Sequence, residues 1–148
     1  MRNPQYKLNT SENSTTFEFI SEGRKGLIPK IVRYTKIDVP NLYNLGFGDK
    51  LVETEDFDDK IITDNKDSEK VLTTVARTIF LFTNNYTDAY VLITGSTPSR
   101  TRLYQMGISN NLEDILKDFE VIGVKNTVLE KFKKNQNYEA FLIIRKWN

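Results

Sequence analysis

The chain has 148 residues, 39% of them hydrophobic and 28% charged, with a formal net charge of +1. That length suits one buried core, the balanced charge excludes a general pull toward nucleic acid or membrane, and the longest apolar runs, 79–82, 89–93 and 140–144, fall far short of the roughly 18–20 residues that span a bilayer. The absence of cysteine and histidine excludes disulfides, thiolate nucleophiles, imidazole bases and Cys- or His-ligated zinc, and leaves only a hard, oxygen-ligated ion such as magnesium open as a metal; no metal site and no cofactor is expected.

In chain order, residues 1–14 carry no periodic pattern and are expected to be loosely ordered. They lack an apolar signal segment, which makes a cytoplasmic location the expectation. Residues 16–20 are rich in β-branched and aromatic side chains and predict a strand; the two glycines in 21–26 suit a hairpin loop, and 27–34 return as its partner. Pro29 removes a backbone donor, which places this strand at an edge or starts it after the proline. In 41–49, Tyr43, Leu45 and Phe47 alternate with small or polar residues, so one face of this strand is buried and Gly46 leaves room on the other.

From 53 to 69 the composition turns acidic: Glu53, Glu55, Asp56, Asp58, Asp59, Asp64, Asp67 and Glu69 stand against Lys60 and Lys66. The spacing fits no EF-hand loop, and like charges in a run stay in water, so this reads as a solvated loop. A helix is predicted over 67–86, with Val71, Leu72, Val75, Ala76, Ile79, Phe82 and Tyr86 on its core side and Lys70, Thr74, Arg77 and Asn84 largely on the other. A break at 84–88 leads to a buried strand over 89–93.

The next segment holds the candidate site. Residues 94–104 pack a glycine, several hydroxyls, a proline and two arginines into a turn that opens a helix. Thr97 is a good N-cap and Pro98 a good first helical residue. Unpaired N–H groups behind the cap, the positive helix end and an arginine fork suit a phosphate or carboxylate. The candidate ligand-binding residues are Gly95, Ser96, Thr97, Ser99, Arg100, Arg102 and Tyr104. Arg100, Arg102 and Tyr104 cannot all face one way, because residues two apart diverge on a helix. This helix is expected to yield at Gly107, and 110–113 have capping-box spacing ahead of a short third helix bearing Leu112, Ile115, Leu116 and Phe119. Strands follow over 120–124, 128–132 and 138–147, with turns at 125–126 and 133–137. The two-sided apolar run 140–144 predicts a central strand.

Segments 65–72 and 94–104, the latter containing Gly95 to Tyr104 as GSTPSRTRLY, together with Asn137 to Leu142 as NYEAFL, resemble a family of small bacterial proteins classed as a domain of unknown function. The resemblance extends from about Phe17 to Lys146. It implies no activity and assigns no catalytic residue.

The resulting expectation is a single α+β domain over residues 1–148: a curved, mainly antiparallel sheet packed against one long helix, with two shorter helices covering an end. The pairing of the 89–93 strand is open. For function, the candidate turn favours a soluble bacterial protein that binds a phosphate-bearing ligand, RNA among them. Lys131, Lys133, Lys134, Arg145 and Lys146 extend the basic surface, and Tyr104 and Tyr138 offer stacking faces. One alternative is a non-catalytic protein-interaction module of a two-protein bacterial system, working through a sheet edge or the acidic loop. Another is a histidine-free endoribonuclease, in which the RNA 2′-hydroxyl is the nucleophile and Arg, Lys or Tyr stabilise the phosphorane. P-loop, dinucleotide and serine-hydrolase motifs are absent. The site competes with a plain structural reading, in which 95–99 is a well-capped turn and the arginines pair with acids.

Overall fold

The structure is a computed structural model that describes residues 1–51, 57–58 and 63–147, the pair 57–58 through its backbone. The acidic residues Glu53, Glu55, Asp56 and Asp59, with Lys60, lie outside the described residues. The described elements are β1 (Asn9–Thr10), β2 (Thr16–Gly23), β3 (Gly26–Lys36), β4 (Leu42–Lys50), β5 (Phe57–Asp58), α1 (Ser68–Asn85), β6 (Tyr90–Ile93), α2 (Pro98–Asn110), α3 (Leu112–Asp118), β7 (Phe119–Lys125), β8 (Val128–Lys131) and β9 (Ala140–Arg145). They make an α+β fold: one open sheet in the order β1-β2-β3-β4-β6-β9-β7-β8, with β5 paired to the end of β4. Every pairing is antiparallel except β4 with β6.

Strand register explains which residues are buried. Phe17 pairs with Val32 and Val32 with Phe47, while Tyr34 pairs with Leu45, so these side chains share one face. All five are buried. The apolar stripe of α1 lies on them as the periodicity predicts, with the Tyr34 and Phe82 rings stacked at 4.0 Å. The Tyr34 hydroxyl and Thr78 Oγ1 satisfy each other at 2.7 Å. Burial raises the Tyr34 phenol far above its ordinary pKa, so it stays protonated.

The 89–93 strand joins two sets of strands. As β6 it runs parallel to β4 and antiparallel to β9. A parallel neighbour needs a crossover long enough to hold a helix, and α1 supplies it. β9 is central, between β6 and β7. Its Phe141 and Ile143 are fully buried on the helix side. The β7–β8 hairpin closes through Asn126 and Thr127, both at positive φ (51° and 63°), the geometry of a two-residue type I′ turn.

Four expectations change. Pro29 is not on an edge strand: β3 lies between β2 and β4. Its pairing with β4 starts at Lys30, one residue after the proline, so no β4 bond is lost to the missing N–H. Helix α2 does not stop at Gly107 but runs on to Asn110. A Cβ at Gly107 would meet Leu72 Cβ at 3.0 Å, so the glycine sits where α2 approaches α1 closely. The capping box over 110–113 does not form: Asn110 stays within α2 and Asn111 becomes the N-cap of α3, with a side chain that makes no cap bond. It donates instead to the Gly107 carbonyl (2.8 Å) and accepts from Thr73 Oγ1 (3.2 Å) and Asn3 Nδ2 (3.0 Å). Finally, Thr74 is buried rather than solvent-facing, since the N-terminal segment crosses α1 there.

That segment is tied down along its length. Tyr6 N–H donates to Thr74 Oγ1 at 2.8 Å, and the Tyr6 ring stacks on Phe19. The Tyr6 hydroxyl donates to Asp67 Oδ2 at 2.6 Å. At its start, the Arg2 N–H and Nε–H donate to the two oxygens of Asp114, each at 3.1 Å. These contacts hold the Asp114 carboxyl below its ordinary pKa, the Arg2 backbone N–H contributing most. A carboxylate whose pKa is lower folded than unfolded stabilises the fold above its unfolded pKa. That contribution disappears as pH falls through the folded value. Asp114→Asn is therefore expected to flatten the decline in melting temperature between about pH 5 and pH 3, as read by thermal melts across that range; a decline as steep as wild type would refute it.

Candidate functional site

The turn after β6 is built from its own side chains. Thr94 Oγ1 donates to the Glu139 carbonyl at 3.0 Å, pinning the turn to the chain entering β9. Gly95 N–H donates to Thr101 Oγ1 at 3.0 Å, and Thr101 Oγ1 donates on to the Thr97 carbonyl at 3.3 Å. Thr97 has extended backbone angles (φ −140°, ψ 160°), its Oγ1 accepts the Arg100 N–H, and Pro98 occupies the first turn of α2. The cap predicted from the sequence is therefore present. A Cβ at Gly95 would sit 2.4 Å from the Thr101 nitrogen and 2.5 Å from Arg100 Cβ, so the turn folds onto α2 only with glycine there.

The turn forms one wall of a cleft of about 470 Å³. Gly95, Ser96, Thr97 and Arg102 line it, opposite the 137–139 segment. Arg102 Nη2 donates to Ser99 Oγ at 3.3 Å across the first turn of α2. One turn further on, Gln105 Nε2 donates to the Gln136 carbonyl, and Lys125 Nζ reaches Gln136 Oε1 from β7 at 3.2 Å. The Glu139 carboxylate is engaged by the Asn126 N–H at 2.9 Å. Donors from α2, β7 and the turn thus surround the segment leading into β9.

The candidate residues separate on this geometry. Gly95, Ser96, Thr97 and Arg102 line the cleft, whereas Arg100 is not among its lining residues. Tyr104 is 7% exposed and belongs to the hydrophobic core. Tyr138 lines the cleft but is also buried, its ring packed with Phe132 and Phe141. Its hydroxyl accepts the Lys133 N–H (3.0 Å) and donates to Glu130 Oε2 (3.3 Å). Burial, with Glu130 beside it, raises the Tyr138 phenol, so it keeps its proton at neutral pH. The C-terminal basic residues divide as well. Arg145 Nη1 donates to the Phe80 carbonyl (3.3 Å), Thr83 Oγ1 (2.9 Å) and Asn84 Oδ1 (3.0 Å), and Lys146 Nζ donates to the Leu116 carbonyl (2.7 Å). Both sit at the far end of β9, near helix C-termini where positive charge is favourable.

Sequence reasoning missed Gln105, Asn137 and Glu139, which line the cleft only because α2 and the approach to β9 meet there. A second polar cluster lies across the β3–β4 ladder. There the buried Lys30 ammonium pairs with Asp49 and donates to the Thr63 carbonyl at 3.1 Å. Its signal was parity: Lys30 is in step with Val32 and Tyr34. Among the described residues, no group of three or more acids is placed to hold a metal. No described helix is long and apolar enough to cross a membrane.

An open, mostly antiparallel sheet packed against one long helix, with two shorter helices, defines an α+β protein. The chain belongs to the family described as "Family of unknown function (DUF6934)", whose model matches residues 2–146. Neither curated proteins nor solved structures provide a match.

Proposed function

We propose that this is a cytoplasmic bacterial protein that binds a phosphate-bearing ligand, with RNA as the class, in the cleft at the N-terminus of α2. The observation that carries the reading is that Ser96, Thr97 and Arg102, chosen from sequence as anion-site residues, line one cleft. Gln105 lines it as well, its amide donating to the Gln136 carbonyl. Hydroxyls, a guanidinium and a helix N-terminus suit phosphate oxygens. The ring faces of Tyr104 and Tyr138 are occupied by core packing, so the site favours the phosphate over the base and binding is weakly dependent on sequence. Catalysis has less support. The cleft takes Arg102 rather than Arg100, and the Tyr138 phenol is committed to Lys133 and Glu130.

The test is fluorescence anisotropy with a labelled decauridylate at two salt concentrations. Wild type is expected to bind more weakly at the higher salt, because bound cations displace counterions. Arg102→Ala should lose about 10-fold or more in affinity, as expected for a charge-assisted hydrogen bond, with an unchanged melting temperature. Absence of wild-type binding, or equal binding by the variant, would overturn the assignment.

A further inference from the structure

A different surface lies on the last strand of the sheet. β8 ends the strand order, and among the described residues no strand pairs with its outer side. The Phe132 N–H donates to the Val121 carbonyl at 3.0 Å. Backbone groups alternate in direction along a strand, so residues 128, 130 and 132 turn theirs toward β7. Leu129 and Lys131 turn their N–H and C=O outward.

Val128 and Leu129 point to opposite faces of this edge and are each 61% exposed. Sheet edges are normally blunted by charge or cover; here two aliphatic side chains flank the free backbone. Beyond the end of β8, a hollow of about 670 Å³ is lined by Leu116, Phe119, Ile122, Leu129 and Phe132. A strand laid along β8 would continue past it. Lysines outnumber acids around the edge: Lys131, Lys133 and Lys134 are exposed, against Glu120 at the hollow and Glu130, whose carboxylate is already held by Tyr138 and Lys133.

We propose that the β8 edge binds an extended segment of a partner protein as an added strand, and that this segment alternates acidic with apolar side chains. Main-chain bonds to Leu129 and Lys131 supply affinity, the hollow takes an apolar side chain, and the lysines select for acids. A second copy of this chain fits less well, because its own edge segment, Val128 to Lys134, carries three lysines against one glutamate and would add like charge at the edge.

The probe is a labelled decapeptide of alternating valine and glutamate, compared with its valine–lysine counterpart. Wild type is expected to bind the acidic peptide at least 10-fold more tightly than the basic one. Lys131→Pro removes an outward N–H together with one of the selecting ammonium groups and should weaken binding at least 10-fold, with the melting temperature retained; should that variant fold poorly, Leu129→Glu serves the same purpose through charge. Arg102→Ala should bind the peptide like wild type, which separates this surface from the α2 cleft. Equal binding of the two peptides, or full binding by both edge variants, overturns the proposal. So does a wild-type dimer in sedimentation that Lys131→Pro dissociates, which would make the occupant a second copy.

Discussion

Asp49→Asn is expected to lower the unfolding free energy by about 3–5 kcal/mol, the usual consequence of leaving a buried charge without its partner. Lys30 is 1% exposed and its ammonium pairs with Asp49 across the β3–β4 ladder, where the two residues stand directly opposite. Asp49 also accepts from the Thr63 N–H (3.2 Å to Oδ2) and from Thr63 Oγ1 (2.5 Å). An amide at position 49 keeps the shape and removes the charge, so the buried ammonium is left without its counter-charge. The double variant Lys30→Met/Asp49→Leu is expected to recover most of the loss, since well-packed apolar groups often replace such pairs without penalty. Urea titrations provide the measurement, with the midpoint shifting at constant slope. A single-variant cost below about 1 kcal/mol would mean that water reaches the pair and that it behaves as a surface ion pair.

Gly95→Ala is the second large effect. The added methyl would overlap the Thr101 nitrogen at 2.4 Å and Arg100 Cβ at 2.5 Å. The first of these is backbone, so no side-chain rotation relieves it. Overpacking of this kind costs about 1–3 kcal/mol, sometimes more. Ser96→Ala, one residue along, should stay within about 0.5 kcal/mol, as surface substitutions usually do. The two variants, compared by thermal and urea unfolding, separate a geometric requirement from a general sensitivity of the turn. If both behave alike, the fit of the turn against α2 is not what requires glycine. Because the clash moves the first turn of α2, Gly95→Ala is also expected to reduce decauridylate binding, whereas Arg102→Ala reduces it without loss of stability.

Much of the local structure was readable from the residues. The stripe from Val71 to Phe82 predicts α1 and its buried side; the alternation Tyr43, Leu45, Phe47 predicts the buried face of β4; Thr97 and Pro98 predict the cap of α2. In each case the determining contacts lie within a few residues, and the period of the apolar pattern reports them directly. The misreadings share the opposite property. Gly107 reads as a helix stop until Leu72 is brought against it, and Asn110 with Glu113 reads as a capping box until α2 runs on through Asn110. Thr74 reads as exposed until Tyr6 crosses it.

The candidate site divides along the same line. By itself the sequence determined the α+β class, the long helix, the capped turn and the residue types that make it suitable for an anion. Only the tertiary structure decided that Arg102 rather than Arg100 lines the cleft, that Tyr104 and Tyr138 belong to the core, and that Arg145 and Lys146 serve helix ends far from it. It also decided that β6 joins the two halves of the sheet and that, among the described residues, no strand pairs with the outer side of β8. Periodicity states which face of an element is apolar, but an apolar face accepts many partners. The choice among them rests on pairings such as Val91 with Tyr43 and with Ile143, contacts between residues about 50 apart that no local pattern encodes.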